Sequence, residues 1–522
     1  MSEPIDIGSA WWRLIDARAE LSPDDPFLSD EAGRTVSFGG YRRLAEEVAA
    51  GLVAVGVRSS HVVSWQLPTT IEAAVLMAAL CRLGVRQNPI IPILRRAEVG
   101  LITGQVGSRW LVVPGTYRAF DFVAMAREAV GERACTVVDA SDWSAGAGGI
   151  RLPRADPSAL APADDPDGDE RWYFYSSGTT ATAKGARHSD ATVMASSNAQ
   201  LAYIGLQADD LFPMPFPITH IGGMMLLTAY LRIGARLLLI ETFDPTRSPE
   251  LMAQRGATLL GSATPFFHAY LAAQRRHGDA PLFPRLRQLQ AGGAPVTAEL
   301  NAECTRVFGT PIYNQWGLTE FPGATSLGVG DAPEMFDGTV GRMAPGAELR
   351  TVGFDGVDTA TGVEGELWVR GPQRCLGYVD PALDAAAFVD GWFRTGDLGT
   401  VDADGFVRIT GRLKDIIIRN AENLSASEIE DVVSSHPAVA DVAVVGLPDH
   451  RTGERACAVV VLAPGYEALT VADLAAHCAA AGLARQKTPE QLEIVAELPR
   501  TPMGKVLKHV LRAGLLTDEP TN

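Results

Sequence analysis

Residues 171–185 read RWYFYSSGTTATAKG, a short aromatic run that predicts a strand and opens directly into a loop of small and hydroxyl-bearing residues. In such a loop the backbone N–H groups and the hydroxyls can donate hydrogen bonds to a polyphosphate, and the ammonium of Lys184 can neutralise its charge. The loop is not a Walker A sequence, because Ala183 and Gly185 stand where that pattern needs Gly before the lysine and Ser or Thr after it. The segment by itself fits an ordinary turn between two elements equally well.

The sequence on the N-terminal side of this loop alternates helical and strand-like patterns. Apolar residues recur every three or four positions over 41–57, and an apolar run follows at 62–67. A second helical stretch at 71–83 precedes another apolar run at 89–93. Short runs that alternate with helices predict βαβ units and a parallel sheet. The stretch 141–170 is rich in Ala, Asp, Gly and Pro and predicts an exposed connection.

A change in composition near Gly411 divides the chain into two predicted domains. Short turns precede it, and strand-like runs follow it at 416–418, 442–445 and 457–462. Thr470, with Asp473 three residues on, predicts the start of a helix that runs to about residue 481. We therefore predict an α/β fold with a large N-terminal body of βαβ layers, residues 1–411, and a small α+β C-terminal lid, residues 412–522.

Composition and charge limit the function classes. The 522 residues are 47% hydrophobic and 20% charged, which is globular and too long for one compact core. A net charge of −17 repels phosphate backbones and anionic membrane surfaces, so we expect no nucleic-acid partner. The six cysteines form no C-x-x-C pair, which predicts reduced thiols without a structural zinc. With no signal-peptide pattern and no membrane-length apolar run, we expect a soluble, cytoplasmic protein.

Three further segments carry residues suited to nucleotide chemistry. Residues 313–320 read YNQWGLTE and end in a carboxylate, and residues 393–397 read FRTGD and place an acid beside a glycine turn, where it can bond vicinal sugar hydroxyls. Residues 499–505 read PRTPMGK and present a lysine from a turn, before a basic helix predicted at 506–511. Each segment alone has an ordinary explanation, namely a solvated acid, a β-turn and a solvated lysine.

In their order and spacing, these segments resemble the core motifs of the ANL superfamily of adenylate-forming enzymes, which includes acyl-CoA synthetases, peptide-synthetase adenylation domains and luciferases. The resemblance extends from Trp172 to Leu511, and four ordered matches are much more specific than any one of them. It implies an acyl-CoA ligase that uses ATP, Mg²⁺ and coenzyme A to activate a small-molecule carboxylic acid. It also implies a β-barrel-like portion of the body and a mobile lid with its hinge near Lys414, which is otherwise an ordinary exposed lysine. A homodimer is left open.

The resemblance implies individual roles in binding the nucleotide. One group of residues holds the phosphates, the adenine and the acyl carbonyl. Its members are Ser177, Gly178, Thr179, Thr180, Lys184, Gly293, Ala294, Asn314, Gln315, Trp316, Gly317 and Thr319.

The resemblance also implies which residues carry the chemistry. Glu320 binds the metal together with Thr180, Asp397 and Arg412 grip the ribose hydroxyls, and Lys505 bridges the substrate carboxylate and the α-phosphate. Because the reaction joins two anions, magnesium and the ammonium of Lys505 supply the cations that it needs. No enzyme nucleophile is required, because the acyl-adenylate already has a good leaving group.

The segment 215–223, PFPITHIGG, bears on the choice of acid. It is similar to the segment of fatty-acyl and cyclohexanecarboxylate CoA ligases in which an aromatic residue or a histidine gates the acyl pocket. His220 is therefore a candidate catalytic gate, and a hydrogen-bonded core histidine is the alternative. The expected acid is hydrophobic, and we expect a stand-alone ligase because no carrier-protein domain follows Leu511. Apolar residues that line the pocket or simply belong to the core are Met224, Met225, Leu226 and Phe266.

The sequence departs from the family pattern at three places. The phosphate loop has Ala181 and Ala183 where the family usually has Gly and Pro, Asn420-Ala421 replaces a Gly-Gly pair beside the pantetheine channel, and Ala426 replaces a proline. A lost glycine adds a Cβ where the backbone needs positive φ, and a lost proline loosens the turn. We hypothesise that adenylation is the weaker half-reaction, so that thioesterification of a supplied acyl-adenylate dominates.

Two other functions stay open at this point. One is an acyl-AMP ligase that loads a carrier protein instead of CoA. The other is a protein that binds ATP or an acyl-adenylate without turnover, which the altered phosphate loop favours.

Overall fold

The computed structural model describes residues 4–5, 10–143, 151–163, 168–176, 183–293, 296–419, 422–449, 451–500 and 505–517. The chain forms two compact units. The first unit comprises Met1–Ser177, Thr182–Glu348 and Val369–Phe393, and the second comprises Gly178–Ala181, Leu349–Trp368 and Arg394–Asn522. The domain boundary after residue 411 stays a prediction.

Most of the helices that the structure describes are short, and the majority bury apolar residues in a core. Their bounds are α1 (Trp11–Leu21), α2 (Phe38–Ala54), α3 (Ile71–Arg82), α4 (Arg96–Gln105), α5 (Phe122–Val130), α6 (Asp190–Ala195), α7 (Ile221–Ile233), α8 (Ser248–Gln254), α9 (Thr264–His277), α10 (Ala298–Phe308), α11 (Asp384–Ala387), α12 (Ala426–Ser434), α13 (Val471–Ala480) and α14 (Lys508–Thr517).

The described strands form several separate sheets. Their bounds are β1 (Pro26–Asp30), β2 (Thr35–Ser37), β3 (Val62–Trp65), β4 (Arg86–Pro89), β5 (Trp110–Val113), β6 (Thr116–Tyr117), β7 (Phe120–Asp121), β8 (Thr136–Asp139), β9 (Glu170–Ser176), β10 (Lys184–Ser189), β11 (Leu211–Met214), β12 (Arg236–Leu239), β13 (Leu259–Ser262), β14 (Gln288–Gly292), β15 (Ile312–Trp316), β16 (Thr325–Ser326), β17 (Arg342–Met343), β18 (Glu348–Val352), β19 (Gly365–Arg370), β20 (Gly377–Tyr378), β21 (Phe388–Val389), β22 (Trp392–Val401), β23 (Val407–Arg412), β24 (Ile416–Arg419), β25 (Glu422–Ser425), β26 (Val439–Asp449), β27 (Gly453–Leu462) and β28 (Gln491–Ile494).

The first unit is built around three sheets. A seven-stranded sheet has the order β20-β10-β9-β4-β3-β5-β8, a four-stranded sheet the order β11-β12-β1-β2, and a five-stranded sheet the order β13-β14-β15-β16-β17. Strand β3 pairs in parallel with both β4 and β5, and α3 connects β3 to β4. The predicted α/β fold with βαβ units is therefore confirmed, and the helices predicted over 41–57 and 71–83 are α2 and α3.

One predicted strand is wrong in position. The sequence favoured the apolar run 89–93, whereas the strand is Arg86–Pro89. Two polar residues of this strand are buried, and the side chain of each donates a hydrogen bond inside the core. Gln87 Nε2 donates to the carbonyl of Met77 at 3.0 Å, and Asn88 Nδ2 donates to Ser64 Oγ at 2.7 Å. Hydropathy alone misses a strand whose buried polar side chains donate hydrogen bonds inside the core.

The second unit contains two sheets. One includes β18, β19, β22 and β23, and the other has the order β25-β24-β27-β26 with β28 parallel to β27. The strands predicted at 416–418, 442–445 and 457–462 are confirmed as β24 and parts of β26 and β27. Thr470 caps α13 as predicted, through a reciprocal pair of bonds with Asp473. The predicted C-terminal helix begins later, at Lys508, and runs to residue 517.

Two further observations concern the cysteines and the apolar content of the helices. All six cysteines are free thiols, and four of them are buried. In the part of the chain that the structure describes, no helix combines the length and the apolar content that are needed to cross a bilayer.

Candidate active site

The hydroxyl-rich loop connects two antiparallel strands of the first unit. Strand β9 ends at Ser176 and β10 begins at Lys184, and these two residues are paired in register. The strand predicted before the loop is thus confirmed as β9, and Lys184 lies at the base of the connection. Within the described residues no ion pair is seen for the Lys184 ammonium. The predicted loop residues Ser177, Gly178, Thr179 and Thr180 lie outside the described residues, as does Ala294.

Glu320 is a buried carboxylate held by a tyrosine. Its side chain is only 8% exposed, and the hydroxyl of Tyr378 donates to Glu320 Oε1 at 2.7 Å. The N–H of Cys375 donates to the Glu320 carbonyl at 2.9 Å, which fixes the main chain. Burial, followed by the nearby Glu320 charge, raises the pKa of Tyr378, so its hydroxyl stays a proton donor at neutral pH.

Strand pairing brings Lys184, the lysine of the predicted phosphate loop, close to Tyr378. Strand β20 pairs with β10 so that Tyr378 lies opposite Ala186. The Lys184 ammonium lies 5.7 Å from the centroid of the Tyr378 ring, a cation–π distance. Lys184, Tyr378 and Glu320 therefore form one cluster in the first unit, which we call the Lys-Tyr-Glu cluster.

The residues present fit a magnesium–nucleotide complex better than a metal bound by protein alone. Among the described residues no group of three His, Cys, Asp or Glu side chains could hold a metal. Mg²⁺ usually takes one or two carboxylates and completes its shell with water and substrate phosphates. Glu320 suits this arrangement, because no hydrogen bond from the described residues reaches its Oε2.

The segment that carries Thr319 is held by a buried histidine of β10. His188 Nε2 lies 2.9 Å from the Thr319 carbonyl, and Nδ1 lies 3.0 Å from Thr192 Oγ1. Burial lowers the pKa of His188 to about 4, so the ring is neutral at pH 7. Since a carbonyl can only accept, the single ring proton is on Nε2.

We expect this histidine to make folding sensitive to acid. The pKa of His188 falls from 6.5 in the unfolded chain to about 4 in the folded protein, so the unfolded state binds more protons between these values. Stability should therefore fall by about 3 kcal/mol as the pH is lowered through this window. Urea unfolding of the wild type and of His188→Gln should show a shallower pH dependence in the variant, whereas equal slopes would exclude the assignment.

The predicted adenine segment lies at the carboxyl edge of two parallel strands. Ala291 of β14 pairs with Asn314 of β15, and Gly292 pairs with Gln315, so Gly293 comes directly after the edge that holds these residues. Trp316 ends β15, and ligands of α/β sheets bind beyond such ends.

Gly317 follows β15, and no larger residue fits there. A Cβ at this position would lie 2.7 Å from the backbone nitrogen of Gly323. The close approach of two backbone segments therefore requires glycine at this turn.

His220 caps a helix. It is the N-cap of α7, and its Nδ1 accepts the N–H of Gly222 at 3.0 Å. Burial lowers the pKa of His220 to about 4, so the ring is neutral and carries its proton on Nε2. The bond at Nδ1 fits the alternative interpretation of His220 as a hydrogen-bonded histidine. The role of His220 as a gate stays a prediction. The proposed pocket residues Met224, Leu226 and Phe266 are buried.

The predicted ribose-binding pair lies in the second unit. Asp397 of β22 and Arg412 of β23 are partners in register, and Arg412 Nε lies 2.7 Å from Asp397 Oδ1. The turn predicted at 393–397 is wrong, because these residues lie within a ten-residue strand. Gly396 adopts a φ of +69° inside this strand, and its N–H donates to Glu366 Oε1 at 3.2 Å. A glycine signal that is typical of turns thus marks a kink in a strand.

Lys505 lies close enough to this pair to interact with it. Burial, with further contributions from Arg412 and Lys414, lowers the pKa of Lys505 to about 8, while Asp397 and Asp415 act in the opposite direction. The predicted catalytic lysine, Lys505, is therefore a neighbour of Asp397 and Arg412 within the second unit.

Two residues that support the site were missed in the sequence. Tyr378 and His188 contact Glu320 and Thr319, which are 58 and 131 positions away along the chain. Neither lies in a glycine-rich or charged motif, and only the pairing of β10 with β20 and the burial of the His188 ring reveal them.

The fold and these motifs define an enzyme that activates acids with ATP. The profile of AMP-binding enzymes matches residues 15–379, and the profile of the AMP-binding enzyme C-terminal domain matches residues 428–505. The chain belongs to the AMP-binding enzyme family and is an ATP-dependent acid–thiol ligase.

Individual relatives act on different acids. The chain is 30% identical to the medium-chain fatty-acid–CoA ligase of Escherichia coli (strain K12), over 95% of this chain and 89% of the relative. It is 32% identical to the salicyl-AMP ligase / salicyl-S-ArCP synthetase of Mycobacterium tuberculosis (strain ATCC 25618 / H37Rv), over 97% and 91%. The crystal structure of ATP-bound MatB from Rhodopseudomonas palustris superposes with a TM-score of 0.84 at 28% identity and covers 96% of this chain and 98% of its own.

Proposed function

We propose that this protein is an acyl-CoA ligase for a hydrophobic carboxylic acid. In the first half-reaction a carboxylate oxygen bonds to the α-phosphorus of ATP, and pyrophosphate leaves. In the second, the thiolate of CoA attacks the acyl carbonyl, and AMP leaves. The observation that supports the proposal is the ion pair of Arg412 with Asp397, which interacts with Lys505: we assign Lys505 as the catalytic cation and the pair to the ribose.

The first half-reaction needs positive charge where two anions meet. We assign Lys184 and the loop 177–180 to the ATP phosphates, and Glu320 with Thr180 to Mg²⁺. When bound, the metal neutralises phosphate charge and orients the leaving pyrophosphate. Lys505 contributes its ammonium to the carboxylate and the α-phosphate, where charge develops in the transition state.

The remaining assignments position the nucleotide. Asp397 accepts hydrogen bonds from two ribose hydroxyls, and Arg412 holds its carboxylate in place. The adenine stacks on the segment from Asn314 to Gly317, and Thr319 binds the α-phosphate. Gly293 and Ala294 lie along the adenine and the acyl carbonyl.

The proposal keeps a lid that rotates between the two half-reactions. It comprises residues 412–522, with the hinge near Lys414. A long side chain is compatible with a hinge, because a hinge requires backbone dihedrals that change and not a particular residue. We also propose a cytoplasmic location. The net charge of −17 supports the further proposal that the protein has no nucleic-acid partner. A homodimer stays open.

The altered phosphate loop leads us to expect unequal half-reactions. Acid-dependent ATP–pyrophosphate exchange measures adenylation, and thioester formation from a supplied acyl-adenylate and CoA measures the second step. Exchange should be the slower activity. A variant with Ala181→Gly and Ala183→Pro should exchange faster without a change in thioester formation. Exchange that is as fast as thioesterification in the wild type would refute the expectation.

A second candidate function is an acyl-AMP ligase that loads a carrier protein. It is favoured by the similarity to a salicyl-AMP ligase / salicyl-S-ArCP synthetase and by Asn420-Ala421 in place of the usual glycine pair. Product analysis with CoA or with a phosphopantetheinylated carrier separates the two functions. A panel of hydrophobic and aromatic acids then identifies the substrate.

The lowered pKa of Lys505 predicts the pH dependence of adenylation. The ammonium loses its proton as the pH rises through about 8, so exchange should decline on that alkaline side. The matched variant is Lys505→Arg, which stays charged in this range and should lose the alkaline decline, whatever its absolute rate. A pH–rate profile that stays level above this value in the wild type contradicts the prediction.

A further inference from the structure

Tyr378 contacts both charged members of the Lys-Tyr-Glu cluster through different parts of its side chain. Its hydroxyl donates to Glu320 Oε1 at 2.7 Å. Its ring lies 5.7 Å from the ammonium of Lys184, measured to the centroid. A single side chain thus connects the proposed metal ligand with the proposed phosphate lysine.

The structure holds Tyr378 itself rigidly. The residue is 3% exposed, its N–H donates to Asp384 Oδ1 at 2.8 Å, and its carbonyl accepts from Arg187 Nε at 2.9 Å. On the same edge the N–H of Val379 donates to the Gly185 carbonyl at 2.8 Å. A side chain that is fixed by packing and by main-chain bonds can fix its neighbours in turn.

We propose that Tyr378 is a positioning residue that orients Glu320 for the metal and Lys184 for the phosphates of a magnesium–nucleotide complex. The inference rests on the proposed function and deepens it. The hydroxyl occupies one oxygen of Glu320, fixes the carboxylate and leaves the other oxygen, Oε2, for a cation. The negative face of the ring restrains the Lys184 ammonium, which would otherwise move freely on its long stem.

The test compares two substitutions that separate the hydroxyl from the ring. Tyr378→Phe keeps the ring and removes the bond to Glu320. Titration calorimetry of ATP at increasing Mg²⁺ should show a half-saturating Mg²⁺ concentration that is about 10-fold higher or more, because loss of an outer partner of a metal ligand typically weakens metal binding by this factor. Binding of ATP without metal should not change. Tyr378→Leu should in addition weaken metal-free ATP binding by about 2- to 5-fold, because Lys184 loses its ring.

A double-mutant cycle shows whether the hydroxyl acts through Glu320. In a Glu320→Gln background the Mg²⁺ dependence should be lost, and adding Tyr378→Phe should have no further effect on it. The matched control is Tyr41→Phe, which removes another buried tyrosine hydroxyl of the first unit, bonded to the Ala74 carbonyl at 2.9 Å. This variant should lower the melting temperature without changing the Mg²⁺ requirement.

Three results would overturn the inference. The first is a Tyr378→Phe variant with the wild-type Mg²⁺ requirement, and the second is an equal change in Tyr41→Phe. The third is a wild-type protein that binds ATP equally well with and without Mg²⁺. Failure of this inference is distinguishable from failure of the proposed function. A protein that binds magnesium–ATP but forms no acyl-adenylate disproves the ligase reaction. The binding data still decide the role of Tyr378 in that case.

Discussion

Lys505→Ala should lower acid-dependent ATP–pyrophosphate exchange by about 10²-fold or more, the effect typical of removing one group that stabilises developing charge. The same variant should keep its rate of thioester formation from a supplied acyl-adenylate. The attack that forms the adenylate brings a carboxylate to a phosphate, and the second step does not join two such anions. We therefore expect Lys505 to be needed for the first half-reaction only.

The environment of Lys505 makes this a large effect. Its ammonium is partly buried near Arg412 and Lys414, both of which oppose its protonation. A cation kept in such surroundings is stabilised strongly by an anionic transition state, because water screens the interaction less than at the surface.

The matched control for this variant is Lys487→Ala. Lys487 belongs to the same unit and makes an ion pair with Glu428 at 2.6 Å, at a position to which we assign no role in the reaction. This control removes the same charge and should leave exchange unchanged. Equal losses of both half-reactions in Lys505→Ala would show that the substitution damages the fold or both steps alike, and would contradict the assignment.

Asp397→Asn should lower kcat/KM for ATP by about 10²-fold. A hydrogen bond to a charged group contributes about 1.5–3 kcal/mol, and the variant weakens two such bonds to the ribose. Asp397 is only 1% exposed, and its carboxylate is held by Arg412. Asparagine keeps the shape of the side chain, which limits the effect to charge and hydrogen bonding.

The nucleotide offers an independent test of the same contact. In the wild type, 2′-deoxy-ATP and 3′-deoxy-ATP should each be poorer substrates than ATP. In Asp397→Asn the penalty for either missing hydroxyl should shrink, because the contact is already weakened. The control variant is Asp402→Asn, which removes one negative charge from the turn between β22 and β23, where Asp402 accepts the N–H of Phe406 at 2.8 Å. Asp402→Asn should show the full wild-type penalty, and an undiminished penalty in Asp397→Asn would rule out the ribose assignment.

Local sequence patterns determined a large part of this molecule. The alternation around residues 62–83 predicted a βαβ unit, and Thr470 predicted the start of a helix. The order of four short motifs predicted the family, which the matches over 15–379 and 428–505 confirm. These features depend on residues close together in the chain or on a linear order, so the sequence contains them directly.

Only the tertiary structure decided which side chains support the site. Tyr378 reaches Glu320 because β20 pairs with β10 in one particular register, and His188 reaches Thr319 across 131 positions of the chain. Register depends on the packing of whole sheets, and a shift by one residue would turn each side chain to the opposite face. Strand pairing also decided the position of Asp397. The glycine before it, Gly396, is typical of turns but lies inside a strand. The sequence by itself thus determined the family of this protein, because the motifs follow one another along the chain, whereas the pairing of distant strands decided which side chains contact the predicted site residues.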